Sequence, residues 1–275
     1  GMMLPCTYLE DFAKINASQT PWGPKGPFPI HRYRNASHDP DEKPDTSAAA
    51  GLELKNKIIT ALRDRYKKIT GASQSGDWIV VPEAKAKDWF PGLGLKICKP
   101  WIAQSFNGKG RPFTIDLALS AGFCTGHITL TNVNTICEEC IGLDCNGFVG
   151  GYAKTRELTG PDGHLGPNSA PSAFASRGTP RNTWNEIRAH DVLLTPGSPE
   201  HVRIVQARYD TYLDVCESAS SLQGLSRRAY FLMDESFGNT QVNGFHGKAR
   251  MYLLRRSTLT GSWSDHWVLA CGVGF

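Results

Sequence analysis

No apolar run in the chain comes near the roughly 18–20 residues needed to cross a bilayer, so no membrane span is expected. Charge of one sign is also missing. Thirty Lys and Arg stand against 26 Asp and Glu, a formal net charge of +4, which gives no ground for nucleic acid as a partner. No glycine-rich stretch has phosphate-loop spacing, and Phe106-Asn107-Gly108-Lys109-Gly110 and Phe148-Val149-Gly150-Gly151 read as turns. The amino terminus has neither a basic n-region nor an apolar h-region. Gly1 before Met2 resembles a residue left by tag removal. If Met2 is the natural start, a cytoplasmic protein is expected; a trimmed chain would be exported or held at the cell envelope. Eight cysteines in 275 residues are too few for a disulfide-dense miniprotein.

What is present divides unevenly along the chain. Residues 1–48 are rich in Pro, Ser, Asn and Asp and read as an irregular arm. From Ser47 to about Thr70, Leu52, Ile58, Ile59, Leu62 and Tyr66 recur at helical spacing, with Gly71 as a stop. Trp78-Ile79-Val80-Val81 and Ile128-Thr129-Leu130 look like short strands, and Phe113 to Ala121 fits either type. From Val192 onward strand-like runs dominate: Val192–Thr195, Val202–Gln206, Tyr212–Cys216, Ala229–Met233, Ala249–Arg255 and Trp267–Cys271. Helical signal early and strand signal late predict an α+β protein.

The segment Gly142-Leu143-Asp144-Cys145-Asn146-Gly147-Phe148-Val149 carries the chemistry. An acidic residue, a cysteine, a small residue and an apolar pair fit a loop entering a helix, with Asp144 as N-cap and Cys145 in the first turn. There the unpaired backbone N–H groups and the helix dipole favour thiolate over thiol. A nucleophilic thiol also needs a base, because an unperturbed one is mostly protonated at neutral pH. His201 is the candidate: it follows the turn Pro196-Gly197-Ser198-Pro199-Glu200 and opens a strand. The next strand, Tyr212 to Glu217, offers the polar partner that would orient the imidazole. Alternation puts Leu213, Val215 and Glu217 on one face and Asp214 and Cys216 on the other. Glu217 is the first choice and Asp214 the second.

Asp144-Cys145-Asn146-Gly147-Phe148-Val149 resembles the Asp-Cys-Ser-Gly-[Phe/Leu]-Val signature of the NlpC/P60 cysteine peptidases, a papain-like superfamily. Ala189-His190-Asp191-Val192-Leu193-Leu194 and Glu200-His201-Val202-Arg203-Ile204-Val205 resemble that family's Gly-Asp-[Leu/Val] and His-Val-[Gly/Ala]-Ile strands. Asn146 stands in place of Ser, His190 in place of Gly, and Arg203 in place of a small residue. The resemblance, over roughly residues 137–220, implies an α+β papain-like core: a nucleophile helix packed on a mostly antiparallel sheet. Residues 49–275 would be a single catalytic domain, with the arm 1–48 as an N-terminal extension and an insertion at about 72–136. It implies a cysteine hydrolase with Cys145 as nucleophile, His201 as base and Glu217 as third member. The backbone N–H of Cys145 would stabilise the oxyanion. The substrate class would be a peptide or a peptidoglycan fragment, as for a bacterial cell-wall endopeptidase or amidase, with no cofactor and no catalytic metal.

Two alternatives accompany this reading. The chain can be an inactive relative that binds peptide or glycan, with its scattered tryptophans (Trp78, Trp89, Trp101, Trp184, Trp263, Trp267) lining a groove or filling a core. It can also be a zinc-stabilised interaction module built on Cys137-x-x-Cys140, with Cys124, His127 or a distant ligand completing the site. Structural thiols or a disulfide are the plainer account of Cys137 and Cys140.

Overall fold

The computed structural model describes residues 3–34, 46–156, 165–195, 200–236 and 250–274. Gly1, Met2, the turn Pro196–Pro199 and Ala249 lie outside the described residues. The chain forms two compact units, one of Asp11–Leu143 and one of Asp144–Phe275 with Gly1–Glu10. The division falls inside the stretch that carries the peptidase-like motifs, just before Asp144. Among the described residues no helix is long and apolar enough to cross a membrane.

Asp11–Leu143 is built on helices. Strands β1 (Ile15–Ala17) and β2 (Lys25–Phe28) pair antiparallel, and Ile15, Ala17, Phe28 and Ile30 are buried. The stretch read as an irregular arm is therefore partly packed: its apolar residues are far enough apart to look like loop, yet Tyr8, Phe12, Ile15, Phe28 and Ile30 reach a core while Trp22 stays exposed. Helix α2 (Thr46–Thr70) has the expected span and buries Ile58 and Leu62, one turn apart. After β3 (Trp78–Val80) and its partner β4 (Lys96–Cys98) come α3 (Lys99–Ser105), α4 (Pro112–Thr125) and α5 (Val133–Glu139). The ambiguous Phe113–Ala121 is helix because Pro112 opens it and Gly126, at φ 80°, ends it in the left-handed conformation. Ile128–Leu130 is a turn, not a strand. Thr129 and Asn132 trade backbone-to-side-chain hydrogen bonds there, and Ile128 fills the space over Gly122.

The second unit corrects the expected fold class. Its strands do not build a papain-like α+β helix-on-sheet core; six of them close into an antiparallel barrel, with one extra strand attached. After α1 (Pro5–Asp11), α6 (Cys145–Thr155), α7 (Pro171–Ser176) and the short β5 (Thr179–Pro180) come the barrel strands. They are β6 (Val192–Thr195), β7 (His201–Arg208), β8 (Tyr212–Ala219), β9 (Gly224–Ser236), β10 (Arg250–Arg256) and β11 (Trp263–Gly272), each paired with the next in sequence. Closure comes from the length of β11. It pairs along β10 from Trp263 to Leu269, then pairs with β6 through Leu269, Ala270 and Cys271. The strand runs are where their alternation predicts, but period-two patterning alone does not separate a sheet from a barrel.

Alternation sorts side chains into and out of the barrel. Leu193, Val205, Leu213, Val215, Tyr230, Met251, Leu253, Val268 and Ala270 form the interior, with Trp184 and Ile187 packed against them. Val202, Ile204 and Cys216 face outward and are buried as well, since α6 packs over β7 and β8 and α7 over β6 and β11. The tryptophans divide: Trp89 and Trp184 are buried, whereas Trp78 and Trp263 are about half exposed.

Candidate functional site

Cys145 is the first residue of α6, with Asp144 as its N-cap in extended conformation. Asp144 Oδ1 accepts the backbone N–H of Gly147 at 2.6 Å, the cap expected from the local sequence. Cys145 is 7% exposed. Gly147 and Gly150 are buried on the same helix, and a side chain at Gly150 would run into the backbone of Gly166 and Pro167. Close packing thus requires the glycine. Near the far end of α6, the Tyr152 hydroxyl lies 2.6 Å from His190 Nδ1 and donates to the Met3 carbonyl at 3.0 Å.

His190 sits in the left-handed region at φ 72°, which non-glycine residues rarely adopt. Its ring stacks on Tyr152 with an interplanar angle of 9°. Burial, with Arg156 nearby, pulls its pKa down and keeps the imidazole neutral. The residue spends its side chain on packing and on the hydrogen bond to Tyr152.

His201 and Glu217 meet directly. Nε2 of His201 lies 3.4 Å from Glu217 Oε1, a long hydrogen bond across neighbouring strands. The imidazole is 19% exposed at the barrel rim, and the carboxylate is fully buried. Burial pulls the His201 pKa down and Arg203 adds to this, while Glu217 works in the opposite direction. The ring is therefore neutral. With Nε2–H donated to a carboxylate, Nδ1 keeps its lone pair. Burial raises the pKa of Glu217, but the hydrogen bond from His201 and the charges of Arg203 and Arg255 outweigh it and hold the group ionised. The alternative third member, Asp214, is on the outer face and is held by Arg227 Nε at 2.9 and 3.1 Å.

Cys145 stands apart from that pair in the fold. The helix it opens packs against β7 and β8 on the side that buries Val202, Ile204 and Cys216, whereas His201 and Glu217 turn inward to meet Arg255. The motif's three residues thus belong to touching elements, on two sides of one wall.

Patterning of the strands did not reveal what surrounds Glu217. The Tyr230 hydroxyl and Arg255 Nη1, the latter at 2.6 Å, both donate to it, and Arg203 Nε lies 3.6 Å away. Arg203 also donates to the hydroxyls of Tyr230 at 2.9 Å and Thr195 at 2.7 Å, and to His266 Nδ1 at 3.1 Å. Burial, then the charges of Arg203 and Arg255, pull the His266 pKa down to about 3. The available signal was Arg203, a single arginine inside the apolar run Val202–Val205; Arg255, next to Arg256 at the end of its run, gave none.

The cysteine cluster is split between the units: Cys137 and Cys140 belong to Asp11–Leu143, and Cys145 belongs to the other. None of the eight cysteines is in a disulfide. Among the described residues no group of three or more His, Cys, Asp or Glu is placed to hold a metal ion. Burial pushes the Cys137 thiol up to about 12 and the Cys124 thiol up to about 11. Comparison of the chain with family models, curated proteins and solved structures finds no match.

Proposed function

We propose that the protein is a thiol-dependent hydrolase of amide bonds, with Cys145 as nucleophile, His201 as base and Glu217 as the residue that orients the base. Peptides of the bacterial cell wall are the first substrates to test. The observation that carries this reading is the side of the imidazole that Glu217 occupies. A carboxylate on Nε2 leaves Nδ1 as the proton acceptor, and a neutral imidazole is the state a base must start from. The reading requires Cys145, on the outer side of the wall, and His201, on the inner side, to meet around the barrel rim, where both residues open their elements and the imidazole is part exposed.

In this reaction the thiol proton passes to His201 Nδ1 and the sulfur attacks the carbonyl carbon. The oxyanion receives the backbone N–H of Cys145 at the helix start. His201 then protonates the departing amine, and water, deprotonated by the same nitrogen, releases the acyl group and restores the thiol.

The test is the pH dependence of iodoacetamide modification, read by peptide mass spectrometry on wild type and His201→Ala. Expected is labelling of Cys145 at about pH 5–6, ahead of Cys124 and Cys137 and lost in the variant. Labelling that rises only at about pH 8–9 and ignores His201 would overturn the hydrolase and leave a binding domain.

A further inference from the structure

All six barrel strands contribute to a single polar layer: Thr195 from β6, His201 and Arg203 from β7, Glu217 from β8, Tyr230 from β9, Arg255 from β10 and His266 with Ser264 from β11. At its centre is a carboxylate with no solvent contact. Its oxygens face Arg255 Nη1, the Tyr230 hydroxyl and His201 Nε2, with Arg203 Nε just beyond. Arg255 Nη1 also donates to the Tyr230 oxygen at 3.1 Å, and Arg255 Nη2 to Ser221 at 3.0 Å. Ser264 lies 3.1 Å from His266 Nε2, so the second histidine is tied at both nitrogens.

Stability alone does not call for such a layer. Apolar side chains of similar volume fill a barrel with no desolvation cost, and replacing buried ion pairs in that way is often neutral or stabilising. The composition is also unbalanced: two guanidinium groups face one carboxylate. That excess keeps Glu217 ionised and makes it a poor proton acceptor. The same charges act on His201, which feels Arg203 on its own strand, Glu217 on β8, Arg255 on β10 and His266 on β11.

We propose that Tyr230 and Arg255 are positioning residues: the Tyr230 hydroxyl holds Oε2 of Glu217 and Arg255 Nη1 shares Oε1 with His201, so that the carboxylate meets the imidazole in one orientation and fixes its proton on Nε2. This rests on the hydrolase reading. Without the two donors the carboxylate rotates, both imidazole tautomers become populated, and Nδ1 is the free base in only part of the molecules. During the reaction the thiol proton goes to Nδ1, Nε2 keeps its own, and no proton reaches Glu217.

Nitrogen-15 NMR of the imidazoles in the full chain tests this, with His201 assigned by the signal lost in His201→Ala. Wild type should show His201 as the Nε2–H tautomer through neutral pH. Tyr230→Phe and Arg255→Gln should give a tautomer mixture and lower Cys145 labelling at pH 6 by roughly tenfold. Arg255→Lys, which keeps a donor and the charge, should retain most of both. A mixed or Nδ1–H tautomer in wild type, or an unchanged tautomer in Tyr230→Phe and Arg255→Gln, would overturn the assignment. A mixed wild-type tautomer overturns the assignment even where one variant fails to fold, and Arg255→Lys then carries the comparison. If Cys145 is not activated in wild type, the hydrolase reading falls, while the spectrum still reports separately whether the layer fixes the imidazole.

Discussion

Asp144 and Gly150 show how much a single position on α6 decides. Asp144 satisfies an otherwise unpaired N–H at the helix start, so Asp144→Ala should cost about 1 kcal/mol, measured from the urea midpoint. Gly150 faces backbone rather than a yielding side chain. Gly150→Ala should therefore cost more, about 1–3 kcal/mol by the same measurement. Both residues were legible in different degrees. The cap follows from chemistry within three residues, and the sequence alone identified it. The closeness of Gly150 to Gly166 depends on a loop returning over the helix, which no local pattern announces. His190 is similar: it stands where a turn residue is expected, but its contact with Tyr152 is made between distant segments.

At the scale of elements, the polar layer makes a sharper claim about Glu217. Removing its charge strands the buried guanidinium groups of Arg203 and Arg255 in the barrel. Glu217→Gln should cost roughly 3–5 kcal/mol, well beyond a surface Glu→Gln such as Glu53→Gln, which should change the urea midpoint little. The six strands themselves were readable, because alternation and intervening turn residues are properties of each run. Their pairing partners were not. Tyr230 and Arg255 stand opposite one another only once β9 and β10 are in register, past an irregularity between Tyr252 and Leu253. The expected helix beginning at Cys145 was legible for the same reason that the barrel was not: a helix start is local, while closure is a contact between the first strand of the set and the last.

For the whole molecule, the part-buried imidazoles of His201 and His266 set the response to acid. The folded pKa of His266 is about 3 and that of His201 is also lowered, whereas both bind protons below about pH 6.5 once unfolded. The unfolded chain therefore takes up more protons as the pH falls. Their contribution to stability is complete above about pH 6.5 and is lost as the pH drops from there towards 3. Glu217, whose folded pKa is lowered, adds a loss in the same direction below the ordinary carboxylate range. The urea midpoint should fall between pH 7 and pH 5, and His266→Asn, which cannot charge, should flatten that fall. An unchanged slope in His266→Asn would show that its neutral state does not contribute.

The seam between β6 and β11 has a kinetic consequence. Leu194 and Leu269, which face each other there, are 75 residues apart, whereas each other seam joins strands that follow one another along the chain. The loop-closure entropy of that seam is paid all at once, so hairpin pairing from β7 to β11 should precede it. A cavity-forming change at the seam, such as Leu194→Ala, should then speed unfolding and leave the folding rate nearly unchanged, whereas Val215→Ala in the central hairpins should slow folding. The last seam to form would be the first to open, which makes the β6–β11 edge the gate through which a ring with no free edge unzips.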